Sequence, residues 1–365
     1  MQLCMDTMRL FLFSYEIIER SLAITPLFTE FDMTKSLTMK AAVLESHGAA
    51  PRVTDVARPV PQPQQVLVRI MASGINPLDL KIRQGAAEHA RHPLPAILGM
   101  DMAGVVEAIG RDVTAFRVGD EVYGMIGGVA GVQGTLAEYA AVDAALLALK
   151  PSNFSMREAA ALPLVFITAW EGLVDRAHVS AGQTVLIQGG AGGVGHIAIQ
   201  IARAFNAFVF ATDGGARGHV IEQLGATAID FTQMQVEEYV AAHTAGRGFD
   251  VVYDTAGGAS LDASFKAVAR FGHVVSSLGW GTHALAPLSF RAASYSGVFT
   301  LLPLLTGEGK AHHGDILREA TRLAESGKLK PIVDSRQFDL DSVGDAYALI
   351  ENREAQGKVV VSIDR

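Results

Sequence analysis

Gln183 to Arg203, QTVLIQGGAGGVGHIAIQIAR, decides the fold. Thr184 to Gln188 is a short uncharged run of β-branched and aliphatic residues, the composition of a strand covered on both faces in a parallel sheet. Gly189 to Gly195 then interrupts it with the spacing Gly190-x-Gly192-x-x-Gly195, and Val194, Ile197, Ala198 and Ile201 follow at helical intervals. In a strand–turn–helix unit such glycines allow a tight turn, close backbone approach to a pyrophosphate, and packing of helix on strand. The helix N-terminus adds free N–H groups and the positive end of its dipole. A second strand, Ala207 to Thr212, ends in Asp213, about twenty residues on, where a ribose-binding acid belongs. The reading is a dinucleotide site built on Gly190, Ala191, Gly192, Gly193, Val194 and Gly195, with Thr212 and Asp213 beyond it. A purely structural turn is the alternative.

From this centre the chain alternates. Strands are expected at 184–188, 207–212, 226–230, 249–254, 272–278 and 297–301, with helices near 193–204, 216–224, 235–243 and 259–270. That alternation implies an α/β fold with a doubly wound parallel sheet. Upstream, Lys40 to Ser155 is β-rich and punctuated by glycine and proline, with strands at 66–72, 104–109, after 119–124 and at 135–142. This spacing suggests a small, irregular antiparallel barrel. Downstream, a helix near 312–327 is followed by short strands at 336–338 and 358–363 that lack a parallel partner, so the chain is expected to return to the barrel and make it discontinuous. The expected division is an extension over 1–38, a catalytic domain of 39–163 with 303–365, and a cofactor domain of 164–302.

At 365 residues, 49% hydrophobic and 19% charged, the chain can bury two domain cores. A net charge of −8 argues against nucleic acid or an anionic membrane as the main partner. No apolar run approaches the roughly 18 residues of a membrane span. Cys4 is the only cysteine. It allows no internal disulfide and no multi-cysteine zinc site, and it favours a reducing, cytoplasmic setting. Residues 1–38 lack the pattern of a signal peptide and read as a flexible extension, with initiation at Met33 or Met39, or a packed helix, as alternatives.

Several ordered motifs carry a resemblance: Gly74-Ile75-Asn76-Pro77-Leu78-Asp79, Leu98 to Gly104, Val118-Gly119-Asp120-Glu121-Val122, the turn at Gly189 to Gly195, and Gly248 to Asp254. With them, residues 40–365 resemble the medium-chain dehydrogenase/reductase superfamily, and within it the zinc-free, zeta-crystallin-like quinone oxidoreductases. The resemblance implies a GroES-like barrel beside a Rossmann domain. Zinc-dependent relatives carry a cysteine where this chain has Asn76 and Gly-His-Glu where it has Gly99-Met100-Asp101, so no metal is expected. Without a Lewis acid, which contributes several kcal/mol to stabilising an alkoxide, a plain carbonyl is a poor acceptor. Quinones and α,β-unsaturated carbonyls delocalise the incoming charge themselves.

The same resemblance implies roles. It puts Asn76 beside the nicotinamide and Thr168 at its ribose; a turn asparagine and a helix hydroxyl bonded to the preceding turn are the competing readings. Thr255, in the loop after Asp254, and Leu278, Gly279 and Trp280, after the next strand, line the cofactor by their place at the carboxyl edge of the sheet. Trp280 is alternatively a core or interface aromatic. Arg353 sits where relatives place a cationic cofactor contact, or else is a solvated charge. Asp79, Tyr123 and Tyr295 are candidate proton donors near the cleft, with solvent as the alternative. Asp213 favours NADH and the loop arginine Arg217 favours NADPH; the balance falls to NADPH. Leu94, Met100, Met125, Phe166 and Trp280 suggest an apolar pocket for a small-molecule substrate, and the apolar strand 297–301 suggests a homodimer. The leading function is NAD(P)H-dependent reduction of a quinone or enone. Alcohol or aldehyde dehydrogenation and a non-catalytic, crystallin-like binding role are the alternatives.

Overall fold

β-Branched runs broken by glycine and proline build the first half of the computed structural model, which describes residues 37–363. The expected extension over 1–38 lies outside the described residues but for its last two. β1 (Thr38–Leu44), β2 (Arg52–Ala57), β3 (Gln65–Gly74), β4 (Ala96–Ile97), β5 (Asp101–Ile109), β6 (Glu121–Met125), β7 (Tyr139–Asp143) and β8 (Leu147–Leu149) follow one another with only short helices between. They pair antiparallel, β2-β1-β4 in one sheet and β3-β5-β6-β8 in another, with β7 on the free side of β3. The β3–β5 ladder shifts register twice, between Leu67 and Val68 and between Ile70 and Ala72. Such shifts sharpen twist and let a sheet curl into a barrel.

One glycine fixes how β3 delivers its end. A Cβ on Gly74 would lie 2.2 Å from the Ala160 carbonyl oxygen. Only glycine therefore lets β3 run against the helix Met156–Ala160 and release Ile75 and Asn76 at the edge of the barrel.

The second half follows the expected alternation. β9 (Thr184–Gln188), β10 (Phe208–Asp213), β11 (Thr227–Asp230), β12 (Phe249–Asp254), β13 (Val268–Ser276) and β14 (Ser294–Gly297) form one parallel sheet in the order β11-β10-β9-β12-β13-β14. The order reverses between β9 and β12, where open α/β sheets open a crevice. The helix Gly195–Ala204 buries Ile197, Ala198, Ile199 and Ile201, each large aliphatic side chain being worth roughly 1.5–3 kcal/mol. Two boundaries differ from expectation. The helix Ala259–Ala267 gives way at once to β13, starting at Val268 rather than 272. The last strand is the polar Ser294–Gly297, not the apolar 297–301.

β15 (Val360–Ser362) leaves this sheet and pairs antiparallel with β3, and Ile75 N–H donates to the Val359 carbonyl at 2.9 Å. The segment expected at 336–338 is a single bridge, Phe338 to Val361. One cluster of buried apolar side chains runs from Val68 and Met102 through Phe166 to Ile187 and Val361. The return of the chain thus sets β15 and Lys358 against the loop that carries Asn76.

Candidate active site

A cavity of about 390 Å³ lies between the end of β3, the carboxyl edge of the parallel sheet and the returning segment before β15. Of the residues singled out from the sequence, it gathers Asn76, Thr168, Gly193, Val194, Thr255, Leu278 and Trp280. Ile75, Leu164, Val298, Leu301 and Ile350 supply much of its apolar wall.

The glycine turn has the geometry its sequence implies. Gly189 has φ +74°, the left-handed region that favours glycine. A Cβ on Gly195 would lie 2.1 Å from the Gly189 carbonyl oxygen, so the helix can start against the turn only as glycine. A Cβ on Gly193, by contrast, would meet nothing nearer than Val165 at 3.7 Å and Lys358 at 3.8 Å. The protein's own packing therefore leaves space beside Gly193, room that a phosphate could occupy. At the start of the following helix His196 N–H donates to the Gly192 carbonyl at 3.1 Å and Ile197 N–H to the Val194 carbonyl at 3.2 Å, so the backbone left to face a ligand is that of the turn before His196. This chain's turn thus fits a dinucleotide.

At the barrel side, Asn76 is 1% exposed and its amide is held at both ends. Nδ2 donates to Asp101 Oδ2 at 2.9 Å, and Oδ1 accepts from the ammonium of Lys358, which also donates to the Ile75 carbonyl at 3.0 Å. The other Asp101 oxygen accepts the Leu164 N–H at 2.9 Å. Asp79 Oδ2 accepts the Asn76 N–H at 2.8 Å, closing a capping box at the start of the helix Pro77–Arg83. Burial pushes Asp79 up to about 7 and Asp101 up to about 6; the same burial lowers Lys358, against the opposing pull of Asp101 and Asp79. Asp79 Oδ1 has no partner among the described residues, which suits a protonated acid. Lys358 escaped the sequence reading because a lysine in a Gly-Lys-Val-Val run looks like a surface residue; only the return of the chain to β3 buries it.

Thr168 lies on the helix Pro163–Trp170. Its hydroxyl donates to the Leu164 carbonyl at 2.7 Å, the local helix bond, while the residue also faces the cavity. Thr300 Oγ1 lies 3.1 Å from Thr168 Oγ1 and 2.8 Å from Glu171 Oε2; its single hydrogen goes to the nearer, charged acceptor. Tyr253 donates to the Thr168 carbonyl at 2.7 Å, tying β12 to this helix. Asp254 accepts from Gly257 N–H at 3.0 Å and from Ser276 Oγ at 2.7 Å, so one buried carboxylate anchors the loops after β12 and β13 that carry Thr255 and Leu278. Trp280, 57% exposed, sits at the cavity mouth with its ring 5.3 Å from His89 and 6.2 Å from Phe299; it is neither a core aromatic nor fully enclosed.

Other expectations are corrected. Tyr123 is fully buried away from the cavity, donating to the Leu317 carbonyl at 2.6 Å, and burial raises its phenol beyond physiological titration. Asp79 lies behind Asn76 rather than on the cavity wall. Tyr295 lies on β14, exposed, with its hydroxyl packed against Gly279 rather than in the cavity. Arg353 is exposed and does not line the cavity. Met100, Met125 and Phe166 belong to the core, and Leu94 packs on it, so of the expected pocket only Trp280 remains. Gly190, Ala191, Gly192, Gly195, Thr212, Asp213, Gly279 and Arg217 lie outside this cavity's wall, which does not bear on their expected place along the rest of the cofactor. Thr212 sits under the turn, its hydroxyl donating to Gln188 Oε1 at 2.6 Å, and Asp213 Oδ1 accepts the Gly214 N–H at 2.9 Å.

Residues 62–152 match the family described as alcohol dehydrogenase GroES-like domain, and residues 224–361 the family described as zinc-binding dehydrogenase. The chain is 37% identical over 334 residues to the chloroplastic NADPH-dependent alkenal/one oxidoreductase of Arabidopsis thaliana, spanning 88% of this chain and 79% of that one. It is 32% identical over 314 residues to the quinone oxidoreductase of Pongo abelii, spanning 84% and 92%. This chain belongs to the medium-chain dehydrogenase/reductase superfamily. Within the superfamily it stands in the quinone oxidoreductase branch and is an enzyme of the medium-chain type. A solved alcohol dehydrogenase superfamily protein from Novosphingobium aromaticivorans matches it with a TM-score of 0.88 at 60% identity, over 90% of this chain and all of that one. The antiparallel barrel is the GroES-like fold of the superfamily and the parallel sheet its Rossmann fold. No group of three His, Cys, Asp or Glu side chains converges among the described residues; at the edge of β3 stand the Asn76 amide and the Lys358 ammonium instead.

Proposed function

We propose that this chain is an NADPH-dependent reductase of quinones or α,β-unsaturated carbonyls that works without zinc. The observation that carries the reading is the Asn76 amide, locked between Lys358 and Asp101 at the wall of an apolar cavity that also contains the open backbone of Gly193. The residues that would hold the cofactor are Gly190 to Gly195, Thr212, Asp213 and Arg217 at the nucleotide end, and Thr168, Thr255, Leu278 and Trp280 toward the cavity. When bound, the cofactor supplies a hydride to an electrophilic carbon. Asn76 Nδ2, with one hydrogen on Asp101, has a second for the acceptor's oxygen, where charge develops. The apolar walls exclude water and position a flat acceptor. Lys81 and His89 also line the cavity, and the product oxygen takes its proton from solvent or through one of them.

The test is oxidation of NADPH and of NADH against a panel of quinones, enones and simple aldehydes, with and without prior chelation. Turnover of conjugated acceptors by NADPH, unaffected by chelator, is expected. Preference for unconjugated alcohols or aldehydes with loss on chelation would establish the zinc dehydrogenase reading instead.

The same reading takes 39–163 with 303–365 as the catalytic domain, 164–302 as the cofactor domain, and the cytoplasm as the location. It also takes the chain to be a homodimer joined along β14, the edge of the parallel sheet; Phe290 and Leu302, exposed on either side of that strand, support it, and a monomeric mass in solution would refute it.

A further inference from the structure

Asn76 is an amide whose two ends look alike in shape and differ wholly in hydrogen bonding, so something must decide which end faces which way. The surroundings decide it. An ammonium can only donate and an ionised carboxylate can only accept. Lys358 Nζ therefore fixes Asn76 Oδ1 toward itself, and Asp101 Oδ2 fixes Nδ2 on the opposite side. Lys358 is itself held: its N–H donates to the Ile332 carbonyl at 2.7 Å, its carbonyl accepts from Asp334 at 2.9 Å, and its stem passes 3.8 Å from the Cβ position of Gly193. The residue is 6% exposed, so the charge has been taken out of water to do this. A buried ammonium is costly unless paired and hydrogen-bonded, and a leucine or methionine would pack the same space without that cost.

We propose, building on the reductase reading above, that Lys358 is the positioning residue of this site: by holding Asn76 Oδ1 it keeps the second hydrogen of Nδ2 available to the oxygen of the acceptor. Lys358 also lines the cavity, but its ammonium is committed to Asn76 Oδ1 and the Ile75 carbonyl, so it acts through Asn76. The competing role is structural, a cation that only offsets the buried charge of Asp101 during folding.

The two roles separate in a double-mutant cycle. Lys358→Met keeps the length and apolar stem of the side chain, with Lys358→Gln as the second variant if methionine does not fold. A positioning role predicts that Lys358→Met lowers kcat for the acceptor on the order of tenfold to a hundredfold, with the KM for NADPH changed far less. Asn76→Ala lowers it at least as much, and Lys358→Met adds little further loss once Asn76 is alanine. The unliganded protein gives an independent readout: the side-chain NH2 resonances of Asn76, assigned by their loss in Asn76→Ala, should shift and exchange faster in Lys358→Met. Full kcat in the Met or Gln variant, losses that add in the double variant, unmoved Asn76 resonances, or failure of both variants to fold would each overturn the proposal. If the unsubstituted protein reduces no conjugated acceptor, the reductase reading falls alone, because the resonance test does not require turnover.

Discussion

The ring of His196 bridges two segments far apart in the chain: Nε2 accepts the Ile332 N–H at 3.2 Å, and Nδ1 lies 3.0 Å from the Gly192 carbonyl oxygen. Because Nε2 accepts, the proton sits on Nδ1 and is donated to Gly192. The first helix after the glycine turn is thereby tied to the segment that leads back to Lys358. Burial depresses this imidazole to about 4, with Lys358 adding to the effect and the bond to Gly192 opposing it.

His196→Ala should therefore cost about 1–3 kcal/mol, the range for leaving buried partners unmet, and weaken cofactor binding by loosening the turn. The sign of its pH dependence is fixed. A ring depressed below its ordinary 6.5 stabilises the fold above that pH, and the contribution is lost as pH falls toward about 4. Melting temperatures across pH 4 to 7 should fall less steeply with acid in the variant than in the parent protein. Parallel curves would assign the acid sensitivity elsewhere.

Asp79 pulls the other way. Its carboxyl is raised to about 7, chiefly by burial. A raised acid contributes stability that is complete below its ordinary 3.8 and is lost as pH rises through about 7. Asp79→Asn keeps an oxygen for the Asn76 N–H and mimics the protonated acid. Relative to the parent, the variant should gain most melting temperature at pH 8, less at pH 5 and little at pH 4. A difference that is the same at all three pH values would show that the carboxyl is ionised throughout. His196 and Asp79 give opposite slopes, and Asp101, also raised by burial, adds to that of Asp79, so each variant isolates one component of the parent's pH dependence.

How much of this was legible beforehand depended on range along the chain. Strand, turn and helix at Thr184 to Ala204 are written in consecutive residues, so periodicity and glycine spacing suffice, and the parallel direction of the strands follows from alternation, though their order does not. Asn76 and Thr168 stand out in the sequence because a motif surrounds each, and both line the cavity. The cavity wall was misread because Met100, Met125 and Phe166 are apolar like any wall residue, and only packing tells a core side chain from a lining one. Lys358 was invisible for a related reason: nothing local in Gln356-Gly357-Lys358-Val359 says that β15 will pair with β3 and bury an ammonium beside Asn76. The edge strand was displaced to Ser294–Gly297 because pairing with β13, His273 opposite Ser294 and Ser276 opposite Gly297, outweighed the low strand propensity of Ser-Tyr-Ser-Gly.

Gly193 and Gly195 offer a contrast within one turn. Gly195→Ala forces a methyl to 2.1 Å from the Gly189 carbonyl oxygen, so the turn must shift and the protein should lose a few kcal/mol of stability. Gly193→Ala meets only ordinary contacts at 3.7 and 3.8 Å. It should melt within a degree or two of the parent yet bind NADPH on the order of tenfold more weakly, because the methyl fills space kept for the phosphates. Calorimetry and fluorescence titration on both variants decide it; normal NADPH affinity in Gly193→Ala would remove the turn from the cofactor site.

The choice of cofactor turns on Asp213 and Arg217. Asp213 is half-buried and its Oδ1 already accepts from Gly214, so one oxygen is committed to its own loop and the other is free for a ribose hydroxyl. Arg217 is exposed, just ahead of the helix Gly218–Gln223, with a guanidinium able to grip a phosphate by two hydrogen bonds. A charge-assisted bond worth about 1.5 kcal/mol is roughly tenfold in affinity, and less at high salt because the site is exposed. Arg217→Ala should therefore reduce kcat/KM for NADPH about tenfold and leave NADH within about twofold. Asp213→Ala should raise the ratio of NADPH to NADH use by removing a charge that repels the 2′-phosphate. Steady-state kinetics with both cofactors, at low and at high salt, measure each effect. Equal losses with both cofactors in Arg217→Ala would place the guanidinium away from the 2′-position, and better activity with NADH in the parent protein would overturn the assignment of NADPH.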